Sequence, residues 1–449
     1  MNAATSSLYR TMWRWHFYAG LFVIPFVLVL SLSGSVFLFK PQIERWEERS
    51  FQALPVTAAV APSQQVAAAL GATPGATLHS YRLPQRPGDA AMVHLALADS
   101  HAMRDVFVSP QGQVLGSMDP DARVIEVVRR IHGQLLLGPR GSWLVELAAS
   151  WAIVMIVTGL FMWWPRGRGP AGVLWPRRRS LLRDLHAVAG FWVSGFVLVL
   201  LITGLPWAGA WGSAFNAVRA EMGWVRGKQD WSIGGATPAA TDQHSGHEHS
   251  VMHAGHAHMT DLSPLDRFVP MAAAEHLAFP VLVVAPGAAQ FDSEPSPNWL
   301  IKSDAQNRPL RQTLELDAAT GRVISRERFA DQHPVDRVVG YGIAWHEGQL
   351  FGWINQVAGV CTALALATMS VTAFMLWRRR RPAGELGAPA LPRDARKPAV
   401  IAVATLTLAV LLPLLAGSLV LLWLFDRLLP RISPAAAAWL GLRPVRTEG

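Results

Sequence analysis

Long apolar runs dominate the hydrophobic pattern of this chain. Each is rich in Leu, Val, Ala and Phe and carries scarcely any charge. Each is also long enough to cross a bilayer as a helix, which takes about 20 residues. The runs are at about 16–39, 143–164, 187–210, 353–377 and 399–425. The pattern predicts a mainly α membrane protein with a bundle of about five transmembrane helices.

The two long segments between the runs, about 41–142 and 211–352, have a different pattern. In each, an apolar alanine-rich helical stretch (65–71 and 271–278) precedes alternating, strand-like residues and a hairpin. The hairpins turn at 110–112 and 319–321. We therefore predict one small α+β domain in each segment.

Composition agrees with a membrane protein. Of 449 residues, 51% are hydrophobic and 16% are charged, with a net charge of +9, which excludes a single soluble enzyme. The one cysteine, Cys361, lies inside an apolar run. An internal disulfide, a C-x-x-C redox pair and a C-x-x-C-H haem attachment are therefore excluded, and any haem must bind non-covalently.

Arginines cluster beside the apolar runs, as membrane topology requires, so the basic charge does not indicate a nucleic-acid partner. The positive-inside rule places the N-terminus and the short basic loops 166–185 and 379–398 in the cytoplasm, and the two long segments outside. Counting crossings puts the C-terminal tail outside as well, although the arginines of the tail favour the opposite orientation. We interpret the first run as a retained anchor because it is too long for a signal peptide and lacks a cleavage site.

The chain contains an internal repeat. Residues of the first run recur 170 residues later in the third, and residues around the second run recur about 214 residues later around the fourth. The matched pairs are His16 and His186, Gly20 and Gly190, Gly34 and Gly204, and His132 and His346. We predict a duplication in which each half consists of a helix, an outside domain, a His-x5-Gly segment and a second helix.

Four histidines occupy equivalent membrane edges in this repeat. His16 and His186 begin helices one and three at the inner face, and His132 and His346 precede helices two and four at the outer face. Paired imidazoles on facing helices are the usual ligands of a haem between helices, and bis-histidine ligation suits electron transfer. The repeated glycines share the histidine face and leave room for a macrocycle. Alternatively, they only permit close helix packing.

Four blocks in order carry a family resemblance: Trp15-His16-Phe17-x-x-Gly20-Leu21, Ile131-His132-Gly133-Gln134-Leu135, Leu185-His186-x-x-x-Gly190-Phe191-Trp192 and Trp345-His346-Glu347-Gly348-Gln349-Leu350. Over about residues 8–381 the chain resembles the PepSY-associated transmembrane family, which includes bacterial inner-membrane siderophore-iron reductases. The resemblance implies two b-type haems held by these four histidines, PepSY-like periplasmic domains, and reduction of ferric iron carried by a siderophore.

These predictions divide the chain into consecutive segments. They are helix one (8–40), PepSY-like domain one (41–131), a haem-ligand segment with helix two (132–165), a basic loop (166–185), helix three (186–210), a linker (211–263), PepSY-like domain two (264–345), a haem-ligand segment with helix four (346–378), a basic loop (379–398), helix five (399–426) and a tail (427–449).

The linker contains a histidine-rich insert. Its candidate metal ligands are His244, His247, His249, His253, His256 and His258, and two methionines accompany them. Imidazole suits Zn, Cu and Ni, and thioether adds a preference for Cu(I). The insert is either a specific site for copper or another transition metal, or a solvated linker that binds metals adventitiously.

The predicted function is ferric-chelate reduction, an oxidoreductase activity. Electrons would enter at the inner pair and leave from the outer pair. The cytoplasmic loops have no room for a flavin or nicotinamide domain, so quinol or a separate cytoplasmic reductase must be the donor; the G-x-G-x-x-G at 167–172 follows no strand and is attributed to chance. Candidate partners for haem propionates or an anionic chelate are Arg129, Arg130, Arg140, Arg337 and Tyr341. The alternatives are a metal transporter and a set of anchored binding or inhibitory modules.

Overall fold

The computed structural model describes residues 3–98, 102–164, 173–177, 181–224, 261–289, 295–389 and 399–442. The helices are α1 Ala3–Phe37, α2 Lys40–Glu47, α3 Pro62–Ala72, α4 Val124–Gln134, α5 Pro139–Trp163, α6 Leu181–Gly204, α7 Gly209–Glu221, α8 Pro264–Ala274, α9 Pro334–His346, α10 Trp353–Arg380, α11 Ala399–Leu411, α12 Pro413–Ile432 and α13 Pro434–Trp439. The strands are β1 Thr77–Arg82, β2 Ala91–Ala96, β3 Met103–Val108, β4 Val114–Met118, β5 Val281–Val284, β6 Trp299–Ser303, β7 Gln312–Leu316 and β8 Val323–Arg328.

Five helical segments of the described chain are long and apolar enough to cross a membrane, which confirms a multi-pass helical membrane protein. They are Leu8–Phe37, Pro139–Trp163, Leu181–Trp207, Trp353–Arg380 and Pro413–Ile432. Helices α1, α5, α6 and α10 pack together as a bundle: α1 contacts α5 and α10, and α6 contacts the same two helices. Following the predicted topology, we call the end where α1 and α6 begin the inner end, and the opposite end the outer end.

The fifth apolar run is not the continuous helix predicted over 399–425. The helix breaks at Leu412, whose backbone is extended (φ −129°, ψ 90°), and α12 begins at Pro413. Proline lacks the N–H that a helix interior requires, and it biases the preceding residue toward extended conformations. The spanning helix is therefore Pro413–Ile432, and α11 is a separate, shorter apolar helix.

This break corrects the predicted position of the tail. Pro389 accepts a hydrogen bond from Arg14 at the inner end. Leu411 accepts one from the indole of Trp211, just beyond the outer end of α6 (3.0 Å). The chain therefore crosses the bundle once before Pro413 and returns along α12, and the Leu440 carbonyl accepts a hydrogen bond from Tyr18 at the inner end. The described part of the tail lies on the same side as the start of α1, because the crossing count assumed one crossing where there are two.

The two long outside segments share one antiparallel sheet with the order β4-β3-β2-β1-β5-β6-β7-β8. Each contributes a four-stranded meander, and the meanders join where β1 pairs with β5, with Tyr81 opposite Val283. Both predicted hairpins are present, as β3–β4 and β7–β8. Helices α3 and α8 contact each other and contribute to the same hydrophobic core as the central strands. The join satisfies two strand edges that separate domains would leave unpaired.

Two short helices, α4 and α9, precede α5 and α10 at the outer end. Helix α4 contacts α1, and α9 contacts α6. Gly138 and Gly352 follow these helices with positive φ angles (60° and 59°) and form the N-caps of α5 and α10. The His-x5-Gly pattern is thus a short helix that carries the histidine, followed by a turn that needs glycine.

Candidate functional site

The four predicted histidines form two pairs, one toward each end of the bundle. At the inner end, the ring centres of His16 on α1 and His186 on α6 are 6.2 Å apart, with an interplanar angle of 80°. At the outer end, those of His132 on α4 and His346 on α9 are also 6.2 Å apart, with an angle of 77°. Each pair takes one histidine from each half of the chain. We call them the inner pair and the outer pair.

This spacing matches two imidazoles that share one metal ion. A metal–nitrogen bond of about 2.0–2.1 Å, plus about 1.1 Å from that nitrogen to the ring centre, puts two opposed rings about 6.2–6.4 Å apart. Two rings in direct van der Waals contact have no reason to adopt that distance at both ends of the bundle. The geometry therefore accommodates a metal centre between the rings of each pair.

Hydrogen bonds hold the rings of the inner pair. His16 Nδ1 lies 2.9 Å from the Met155 carbonyl and 3.3 Å from the Thr158 hydroxyl. His186 Nδ1 lies 3.2 Å from the Met369 carbonyl. Since a carbonyl only accepts, Nδ1 carries the proton and donates. Nε2 is then the unprotonated nitrogen, as in metal-ligating histidines whose other nitrogen is held by the protein.

Hydroxyl groups hold the rings of the outer pair. The Ser33 hydroxyl donates to the Val29 carbonyl (2.8 Å) and lies 3.0 Å from His132 Nδ1. Thr203 donates to a carbonyl of its own helix in the same way and lies 3.2 Å from His346 Nδ1. Because each hydroxyl already donates its proton, it accepts from the imidazole. The Nε2 atoms of the outer pair are therefore also left unprotonated.

The supporting hydroxyl groups were missed by the sequence analysis. Ser33 and Thr203 are separated by 170 residues, and Thr158 and Thr372 by 214, the same offsets as the histidines. Both threonines of the second pair donate to the methionine carbonyl that holds an inner histidine (3.0 Å each). The signal was thus present in the repeat, but in hydroxyl chemistry at matched positions rather than in residue identity alone.

Burial keeps the outer pair neutral. It lowers the pKa of His132 to about 4, with a smaller contribution from His346. The pKa of His346 is lowered by burial as well. Neutral imidazole is the form that binds transition metals.

Glycines give the histidines their space. A Cβ at Gly34 would lie 3.1 Å from Cε1 of His132, and a Cβ at Gly204 would lie 3.2 Å from Cε1 of His346. The other two predicted glycines, Gly20 and Gly190, instead face the side chains of Met155 and Met369. Gly159 was not predicted; a Cβ there would lie 3.0 Å from Cε1 of His16.

An apolar cavity of about 320 Å³ runs from the outer pair toward the middle of the bundle. Side chains from α1, α5, α6 and α10 line it, and it reaches Met155 and Met369. Apolar walls with few polar groups are typical of cofactor sites. The neutral histidines, the glycine faces and this cavity fit a flat, apolar macrocycle.

The predicted partners of an anionic group are placed differently from one another. Arg129 lines the cavity and is paired with Glu126. Arg130 donates to the Asp121 carbonyl (2.7 Å). Arg140 is exposed at the start of α5, Arg337 is on α9, and Tyr341 packs edge-on against Phe329. Of these five residues, only Arg129 reaches the cavity.

Glu347, which directly follows His346, lines the same cavity and was not predicted. Burial raises its pKa, while Arg308, Arg311 and Lys40 favour its charged form.

Three-ligand metal sites are a separate question. Within the described ranges, no group of three or more His, Cys, Asp and Glu side chains is arranged to hold a metal ion. The six candidate ligands of the histidine-rich insert lie outside the described residues.

The fold and the site define a multi-pass helical membrane protein with an imidazole pair toward each end of its bundle. A family model of the PepSY-associated TM region matches residues 13–380. The chain therefore belongs to the PepSY-associated transmembrane family, as the resemblance indicated. No curated protein matches the chain. Helices α11 to α13 follow the matched region.

Proposed function

We propose that this protein is an inner-membrane di-haem b electron-transfer protein, which carries electrons across the membrane and reduces a ferric-siderophore or other metal chelate in the periplasm. The observation that carries the proposal is the 6.2 Å separation of ring centres in both histidine pairs. In this proposal His16 and His186 hold the inner haem, and His132 and His346 hold the outer haem. A bound haem b supplies a one-electron Fe(III)/Fe(II) couple.

The number of ligands favours haem over a bare ion. Each pair offers two imidazoles, whereas protein sites for a bare transition-metal ion commonly use three or four ligands. A porphyrin supplies four further nitrogens, so two histidines complete the iron coordination. The protein's own contribution is then to orient Nε2 through the Nδ1 hydrogen bonds and to exclude water with apolar walls.

The position of the pairs favours transfer across a membrane. His16 and Ser33, which mark the levels of the inner and outer pairs, are 17 residues apart on α1, or about 26 Å of helical rise. The hydrocarbon core of a bilayer is about 30 Å thick. The two pairs thus lie near opposite faces of that core, and a redox group at each level would divide the crossing into shorter transfers.

The finer features of the fold are also part of the proposal. We infer that the halves arose by duplication, and that the two four-stranded meanders with α3 and α8 are PepSY-like domains in the periplasm. Support comes from residues at matched offsets that take matched roles: Ser33 and Thr203 beside the outer histidines, and Met155 and Met369 beside the inner ones. The electron donor is quinol or a separate cytoplasmic reductase.

The test is the visible spectrum of the detergent-purified protein, oxidised and dithionite-reduced, with haem counted per chain. We expect low-spin b-type bands and two haems, and one haem in His16→Ala or His346→Ala. His276→Asn, in the loop between α8 and β5, is the control and should keep both. The reduced protein should then be reoxidised by a ferric chelate. A protein without a Soret band after haem-replete expression would refute the proposal and favour metal transport.

A further inference from the structure

A second cavity, of about 500 Å³, lies outside the bundle between α2 and the sheet. Its walls come from α2 and the turn after it, from the loop after β1, and from the loop after β6. Helix α2 directly follows the outer end of α1. We call this cavity the outer cleft.

The charges of the outer cleft are balanced within its own wall. Its three cations are each paired with a carboxylate: Lys40 with Glu44 (2.5 Å), Arg45 with Asp89 (2.7 Å), and Arg82 with Glu48 (2.6 Å). A fourth carboxylate, Asp304, also lines the cleft, so three cations face four carboxylates and the wall has a net charge of −1. A polyanionic ligand would have to displace these carboxylates, whereas a neutral or cationic ligand would not.

Amide and aromatic groups supply the other contacts. Gln52, Gln85 and Gln306 line the outer cleft, together with Phe51 and Phe279. Amides donate and accept hydrogen bonds without charge. This combination suits a ligand that carries neutral amide-like or hydroxamate groups on an aliphatic backbone.

The outer cleft lies close to the outer pair. Gln306 in the cleft wall is beside the Glu347 carboxylate. Glu347 lines the apolar cavity and directly follows His346. A ligand in the cleft would therefore be separated from the outer pair by little more than these two side chains.

We propose that the outer cleft is the docking site of the ferric chelate, and that it selects neutral or cationic tris-hydroxamate chelates over polyanionic catecholate or citrate chelates. This inference rests on the proposed reductase function.

Binding can be measured apart from reduction with gallium(III), which has the charge of ferric iron but no accessible divalent state. We would titrate the full-length protein with a cationic gallium(III) tris-hydroxamate by calorimetry. Gln85→Trp places a bulky ring at an exposed position of the cleft wall, and should raise the Kd at least about tenfold, the effect of losing about 1.4 kcal/mol. Val323→Trp, on the outermost strand β8, is the matched control and should bind as the parent does.

Charge selection is tested by Asp304→Lys, which changes the wall charge from −1 to +1. It should weaken the cationic chelate and strengthen an anionic gallium(III) tris-catecholate, each roughly threefold to fivefold for partly exposed charges. Equal binding by Gln85→Trp and the parent would overturn the docking site, as would tighter binding of the tris-catecholate by the parent. If the gallium chelate binds in the cleft but the protein has no haem, the docking site stands and the reductase function fails. If iron is reduced equally fast in Gln85→Trp, the function stands and the docking site fails.

Discussion

The contact between Gly34 and His132 makes the proposed outer haem site sensitive to a single methyl group. An alanine Cβ at position 34 would lie 3.1 Å from Cε1 and 3.5 Å from Nδ1 of His132. Carbon atoms prefer separations of about 3.5–4.0 Å, so the imidazole in Gly34→Ala must move by roughly half an ångström. Ligand distances at metal sites vary by only about 0.2 Å, so the histidine cannot absorb this shift and keep its bond unchanged.

The expected cost follows from overpacking. Extra methyl groups in well-packed interiors typically cost about 1–3 kcal/mol. At about 1.4 kcal/mol per factor of ten, Gly34→Ala should weaken haem binding at the outer pair roughly 5- to 150-fold. Gly20→Ala is the matched control on the same helix, because its Cβ would meet the Met155 sulfur at 3.8 Å, an ordinary contact. Alanine also favours helix by about 1 kcal/mol over glycine, so the control should be as stable as the parent or more stable.

The assay is the transfer of haem from the detergent-solubilised protein to an excess of apo-globin, followed at the Soret band. In Gly34→Ala, one of the two haems should leave faster by the predicted factor, while the haem of the inner pair leaves at the parental rate. Gly20→Ala should reproduce the parent in both phases. The reasoning is refuted if Gly34→Ala retains both haems as the parent does, or if the control loses haem equally fast.

Four further outcomes are expected. Ser33→Ala removes a hydrogen bond of about 0.5–1.5 kcal/mol that gives the outer imidazole anionic character, so it should raise the potential of the outer haem by about 20–65 mV in a spectroelectrochemical titration; an unchanged potential would contradict the role of the hydroxyl. Asp336→Ala leaves the guanidinium of Arg219, with 1% of its side chain exposed, without its carboxylate partner, and should lower the free energy of unfolding by about 3–5 kcal/mol; a loss below about 1 kcal/mol would show that the pair is dispensable. Burial lowers the pKa of His79 from 6.5 to about 4, so only the unfolded chain takes up a proton between those values and stability should fall as pH falls from 6.5 to 4; His79→Gln should flatten this dependence in thermal unfolding, and a parallel curve would refute it. Replacing the six histidines of the insert (244–258) by serine should reduce bound copper without changing haem content, and unchanged copper in elemental analysis would show that the insert is only a linker.

The transmembrane helices were predictable because one dominant quantity decides them. A run of about 20 apolar residues is stable as a helix across a bilayer whatever its neighbours are. The break at Pro413 was not predictable in the same way. A proline in an apolar run is compatible with a kink, as at Pro25 inside α1, or with a break between helices, as at Pro413. Contacts with residues distant in sequence, such as Trp211, distinguish the two cases.

The histidine pairs were predictable because the repeat offset relates them, and because pairing by membrane face follows from helix direction. Their supporting hydroxyls were not recognised, since Ser33 and Thr203 share a functional group but not an identity, and Ser and Thr are common in membrane helices. The joined sheet was missed for a different reason. Each meander has an edge strand, and the partner of an edge is decided by non-local docking of the two halves. The sequence pattern of β1 and β5 contains no information on that partner.

Both the sheet and the histidine pairs join the two halves of the chain, and this has a consequence for how the proposed site is held. The β1–β5 pairing fixes the halves outside the bundle, and the contacts of α1 with α10 and of α5 with α6 fix them within it. A histidine pair formed within one half would tolerate movement between the halves. A pair that takes one imidazole from each half does not, because a change of a few tenths of an ångström between the halves changes the ligand distance directly. The continuous sheet is thus a means by which the outer domains stabilise ligand geometry at the bundle.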